Sequence, residues 1–173
     1  MTGDPFVVAA STALGTTNII SAATTGEINY PLQPAFFATQ SGTIADQTGD
    51  GTTYTIVFDL EVFDQNADFN TTTGTFTAPA TGRYDLKYNI LAQQAVATMS
   101  INSALVTSNR TINSSVGLAV TGNNMSVFSA LVDMDTNDTA TVTIQYSGGT
   151  KVVDIYGAST ADPRTNFSGF LAC

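Results

Sequence analysis

Three stretches of the chain alternate apolar and polar residues with a period of two. In Arg83–Ala92, Tyr84, Leu86, Tyr88 and Ile90 alternate with Arg83, Asp85, Lys87 and Asn89. In Tyr54–Phe63, Ile56, Phe58, Leu60 and Val62 alternate with Thr55, Val57, Asp59 and Glu61, and Thr141–Tyr146 (TVTIQY) repeats the pattern. Period-two alternation puts one face of a strand in a core and the other in water. The three stretches therefore predict strands, with Ile56, Phe58, Leu60, Tyr84, Leu86, Tyr88, Val142, Ile144 and Tyr146 as the core.

Shorter strands are predicted at Phe36–Thr39, Lys151–Tyr156 and Phe167–Ala172, and a short pair at Ala97–Ile101 and Leu105–Ile112 with its turn at Asn102-Ser103. Ser41–Thr53, Gln65–Thr73, Asn113–Asn123 and Gly157–Thr165 read as loops or turns. Pro79 interrupts a ladder and Gly82 suits the positive φ of a tight turn, so the chain turns a corner between Phe76 and Arg83. No segment has helical periodicity over a helix's length. Eight to ten short strands between Gly, Asn, Asp and Pro clusters predict an all-β sandwich without substantial helix.

Two segments break the alternation. Met125–Met134 (MSVFSALVDM) and the terminal FSGFLA carry apolar residues on both sides. Either Phe167, Gly169 and Leu171 face the core, or Ser168, Phe170 and Ala172 do; in both cases a phenylalanine is left on the other face. Apolar residues on both faces call for burial on both. A two-layer sandwich covers one face of each sheet, and the simplest cover for the other is a second copy of the chain.

Phe76-Thr77-Ala78-Pro79, Gly82 and Tyr84, preceded by Phe63-Asp64 with Asn66 and Phe69, and followed by Asn166-Phe167-Ser168-Gly169-Phe170-Leu171, resemble in order the signature segments of the C1q domain. The resemblance covers residues 34 to 173. It implies the two-sheet jelly roll shared with tumour necrosis factor, and a homotrimer in which the sheet holding the last strand packs about the threefold axis. Phe36, Phe37, Phe167 and Phe170 are the expected trimer-interface residues.

Residues 1–33 differ in character, being rich in Ala, Thr, Ser and Gly with the short apolar patches Phe6-Val7-Val8 and Ile19-Ile20. They read as an arm or stem segment ordered on a neighbour, or as a disordered tail. Residues 34–173 form the jelly-roll domain.

The composition narrows the function. The chain is 43% hydrophobic and 11% charged with a net charge of −9, and the first of its five basic residues is Arg83. Clustered Lys and Arg are absent, which argues against nucleic acid or an anionic membrane as partner. No apolar run is long enough to span a bilayer, and Met1-Thr-Gly-Asp-Pro lacks the basic start of a signal peptide. Cys173 is the sole cysteine. It forms no disulfide within the chain, and reads as an incidental thiol or as a link between subunits.

Candidate chemistry is sparse. The chain has no histidine, and so lacks the commonest general base. Asp59 and Glu61 share the outward side of one strand, where carboxylates are ordinarily solvated. Asp133, Asp135 and Asp138 are the candidate ligands should a calcium ion bind, since calcium takes oxygen donors; otherwise no cofactor is expected. The Asn-X-Ser/Thr triplets are what chance gives in a chain this rich in those residues.

The expected role is non-enzymatic: a virion structural and recognition protein, the trimeric knob of a fibre or a decoration module, on the virion surface or otherwise extracellular. It would bind a host surface glycan or protein, and other virion proteins through the N-terminal segment. The alternative is a bacterial secreted adhesin or carbohydrate-binding module.

Overall fold

The structure is a computed structural model and describes residues 7–9, 18–22 and 25–173. The chain separates into two units, Met1–Gln33 and Pro34–Cys173. In the first, β1 (Val7–Ala9), β2 (Asn18–Ala22) and β3 (Ile28–Asn29) form an antiparallel sheet in that order. Phe6 lies outside the described residues.

The second unit is a two-sheet jelly-roll sandwich. Its strands are β4 (Ala35–Thr39), β5 (Ile44–Thr48), β6 (Thr53–Thr55), β7 (Leu60–Gln65), β8 (Phe69–Asn70), β9 (Thr75–Thr77) and β10 (Gly82–Ala95). They continue with β11 (Ser100–Thr107), β12 (Thr111–Leu118), β13 (Gly122–Met134), β14 (Thr139–Ser147), β15 (Val153–Ile155) and β16 (Asn166–Leu171). One sheet has seven strands in the order β5-β15-β10-β16-β4-β7, with β13 paired to β10; the other has six in the order β12-β11-β14-β9-β8, with β6 paired to β14. All pairings are antiparallel, and no helix occurs among the described residues.

The core between the sheets is aromatic at one end. Phe36 stacks on Phe69 and Phe76, with ring centroids 4.9 and 4.8 Å away, and meets the edge of Phe167 at 5.0 Å. Tyr84 closes the group 5.4 Å from Phe76. Residues of all three signature segments thus converge on Phe36. The Tyr84 hydroxyl donates to the Ala80 carbonyl at 2.6 Å, which pins the Pro79 corner. Asp64 accepts from the Phe69 amide at 2.8 Å.

Several expectations are corrected. Leu60 is only half-buried at the start of β7, unlike the other eight expected core residues. The single strand expected over Tyr54–Phe63 is two strands in different sheets, β6 on β14 and β7 on β4, and Ile56–Asp59 crosses between them. Alternation survives the crossing because Ile56 and Phe58 point into the core shared by both sheets. Ser41–Thr53 contains β5, and Asn113–Asn123 contains most of β12. β11 runs straight through Asn102-Ser103: Ser103 is buried, but its hydroxyl is bonded to those of Tyr88 and Ser114, so no turn is needed to solvate it. Gly82 has no positive φ. It is required by space, since a Cβ there would lie 2.7 Å from the Cys173 carbonyl oxygen.

Gly169 has the same cause in the core. A Cβ on it would lie 2.3 Å from Leu86 Cδ2 and 3.0 Å from Phe36 Cε1. Gly169→Ala is therefore expected to destabilise the domain by about 1–3 kcal/mol through overpacking, measured by denaturant titration.

Candidate functional site: the outer face of the seven-stranded sheet

The sheet of seven strands has its inner face in the core and its outer face in solvent. Register fixes what that outer face presents. In β16, Phe167 and Gly169 point inward, which places Phe170 outward at 43% exposure. In β4, Phe36 points inward and Phe37 outward, and Phe37 pairs with Phe63 of β7, their rings 6.3 Å apart. Phe37, Phe63 and Phe170 line an open depression of about 330 Å³ together with Ala35, Asp85 and Lys87.

Phe36 and Phe167 are therefore withdrawn from the expected interface. Both are buried in the aromatic core, because inward positions on β4 and β16 alternate with outward ones. Phe37 and Phe170 remain on the outer face.

On the far side of β10, strand β13 presents a second apolar strip. Met125, Val127 and Leu131 point outward with exposures of 52%, 64% and 61%, while Phe128, Ala130 and Val132 pack inward. Between the two patches, β10 carries a polar ridge. Lys87 bonds Asp85 at 2.9 Å, Ser129 donates to the other Asp85 oxygen at 3.1 Å, and the Lys87 ammonium lies 5.6 Å from the Phe170 ring centre. Phe63, Met125, Val127 and Leu131 were not among the residues expected at an interface. The signal for them was the lack of alternation in MSVFSALVDM and the aromatic at the polar-phase end of the Tyr54–Phe63 pattern.

The three candidate calcium carboxylates have separate duties. Asp133 pairs with Arg110 at 2.7 Å, and Asp135 accepts from the Thr81 hydroxyl at 3.3 Å. Asp138 accepts from the Ser108 hydroxyl at 2.6 Å, the Asn109 amide at 2.8 Å and the Asp135 amide at 2.8 Å, so its carboxyl is held below the usual range by Ser108 first. Among the described residues no group of three or more His, Cys, Asp or Glu is placed to hold a metal. Asp59 accepts from the amide and hydroxyl of Ser41 at 2.7 and 2.5 Å. Cys173 is a free, exposed thiol with the Arg83 guanidinium 3.8 Å away.

Asp64, which the sequence placed in a signature segment without an electrostatic role, lies near Asp68 across the link between β7 and β8. Asp64 Oδ1 and Asp68 Oδ2 are both shielded from solvent and without a hydrogen-bond partner. Burial first, then the charge of Asp64, push the Asp68 carboxyl above its ordinary value. A raised folded-state value means that ionised Asp68 opposes folding, and that this penalty fades as pH falls through the folded value towards the unfolded one near 3.9. Asp68→Asn is accordingly expected to stabilise the domain at neutral pH, with the difference from wild type vanishing below about pH 4. Thermal melts at stepped pH check this; a difference that grows on acidification would contradict it.

Comparison with known proteins agrees with the jelly-roll fold. The C1q domain family profile matches residues 35–172. The globular domain of zebrafish complement 1qA protein superposes with a TM-score of 0.58 at 16% identity, covering 82% of this chain and 98% of its own. Murine APRIL superposes with a TM-score of 0.52 at 14% identity, covering 80% and 98%. Eiger TNF from S. frugiperda gives 0.50 at 12%, covering 82% and 92%. At such identities these likenesses concern the fold alone. No curated protein matches the chain in sequence. With the profile spanning nearly all of the second unit, the chain belongs to the C1q domain family.

Proposed function

We propose that this chain is a homotrimeric, non-enzymatic recognition module whose subunits meet through the outer face of the seven-stranded sheet, and that it is carried on a virion as a fibre knob or decoration protein. The observation that carries the reading is the pair of apolar patches on that face. Single exposed apolar residues are ordinary on a monomer, but five large exposed ones on one sheet face, with half-buried Phe37 beside them, are the mark of an interaction surface. Membership of the C1q domain family supports the trimer. The low charge and polar remaining surface fit an extracellular setting, and the loops at the ends of the sandwich are left free to bind a host glycan or protein.

In this reading residues 1–33 join the module to other virion proteins. Antibody against the chain, applied to particles and to culture supernatant from its source, tests the setting by electron microscopy. Labelled spikes on particles are expected. Label confined to soluble secreted protein would overturn the virion role in favour of a bacterial adhesin.

A further inference from the structure

We propose that the open depression beside the Pro79 corner is a glycan site, and that it takes the terminal hexose of a neutral oligosaccharide. The proposal rests on the recognition reading above and gives the glycan its place on the chain.

The depression measures about 580 Å³ and lies among the connections β7–β8, β8–β9, β9–β10 and β13–β14 at one end of the sandwich. Its polar wall is made of Asp68, Asn70, Thr71, Thr77 and Asn137. Asp68 Oδ2 is shielded from solvent and bonded to nothing, while Oδ1 is not so shielded and no hydrogen bond acts on the carboxyl, which leaves Oδ1 open to a ligand. Asn70 spends its Oδ1 on the amides of Thr72 at 2.9 Å and Thr73 at 3.3 Å, and keeps its NH2 group to donate elsewhere.

These groups select the class of ligand. The wall holds one carboxylate, two amides and two hydroxyls, but no Lys or Arg, and Asp64 adds a second negative charge close by. A sialylated or sulfated glycan, or a phosphate, would be repelled and would find no cation to pair with. The hydroxyls of a neutral hexose can donate to the carboxylate and accept from the amides, with the C–H face of the ring against Ala67, Ala78 and Pro79. A protein partner fits less well. Protein contacts centre on buried apolar anchors, and no large exposed apolar side chain stands in this wall.

The wall is also held in place before any ligand arrives. The Thr77 amide donates to the Asp68 carbonyl at 2.9 Å, the Asn137 amide to the Ala78 carbonyl at 2.8 Å, and the Ala78 amide to the Asp138 carbonyl at 2.8 Å, which ties the connections to one another. Of the five non-glycine residues with positive φ among the described residues, Asn66, Ala67 and Asn137 are gathered here, at 92°, 59° and 74°. Alanine has no side-chain group that favours this conformation, so the fold imposes it, and imposed strain of this kind clusters at ligand sites.

The probe is an array of neutral oligosaccharides ending in galactose, glucose or mannose, printed beside sialylated and sulfated ones and read with the full chain and an antibody against it. Binding to neutral glycans and to none of the anionic ones is expected. Asp68→Asn and Thr71→Trp are then titrated against the neutral glycan that binds wild type best. The first keeps the shape and removes the charge, and is expected to stabilise the fold, so lost binding would not reflect unfolding. The second fills the depression, and circular dichroism checks its β-fold. Each should weaken binding about tenfold or more. Neutral-glycan binding that a folded variant retains would overturn this site and leave the recognition reading standing. Binding confined to anionic glycans would overturn the ligand class and the proposal with it. A wild-type chain that binds no glycan would overturn the glycan reading itself.

Discussion

Phe167→Ala is expected to destabilise the domain by about 3–5 kcal/mol. Phe167 is fully buried and contacts three other rings, Phe36 at 5.0 Å, Phe58 at 5.6 Å and Phe69 at 6.0 Å. Removing it loses the ring's transfer energy and leaves a cavity in a group that also includes Phe76 and Tyr84. Because whole domains are stable by only about 5–15 kcal/mol, the variant should sit near the edge of folding. Phe63→Ala is the control, since that ring is half exposed on the outer face. In chemical denaturation at one protomer concentration, dilute enough to disfavour association, it should cost less than about 1 kcal/mol. Equal losses in the two variants would show that the assignment of inner and outer faces is wrong.

Phe170→Asp is expected to dissociate the proposed homotrimer while leaving the fold intact. An aromatic ring buries up to 150–250 Å², worth about 4–6 kcal/mol at 25 cal/mol per Å². Phe170 keeps nearly half of its surface exposed in the single chain, so association would add about 2–3 kcal/mol at each contact, or roughly a hundredfold in affinity. A carboxylate in its place must also be desolvated. Repeated at three contacts, the loss should yield monomer at micromolar concentration with an unchanged circular dichroism spectrum. Loss of the β-spectrum would mean that Phe170 serves the core, against its outward register.

The contrast between these residues was only half legible in the sequence. FSGFLA announced that a phenylalanine would be left on the wrong face, yet it fits either phase equally. What decides the phase is the space under Gly169, where Leu86 and Phe36 leave no room for a Cβ, and no local pattern carries that information. Arg83–Ala92 was read correctly because its alternation is strict and both of its edges are paired. The break at Ile56–Asp59 was hidden because the chain changes sheets without changing which residues face the core. β5 and β12 were missed for the opposite reason: they are edge strands of largely polar sequence, held by pairing with β15 and β11, which the sequence pattern of one strand does not reveal. The outer-face aliphatic strip was visible as a break in alternation at MSVFSALVDM, but only the register to β10 put Met125, Val127 and Leu131 in one line.

Light scattering of the intact chain at micromolar concentration tests the trimer most directly. The expected mass is three times the 18.0 kDa of the single chain, holding across moderate salt because the contact is apolar. A mass near 18.0 kDa under those conditions would contradict it.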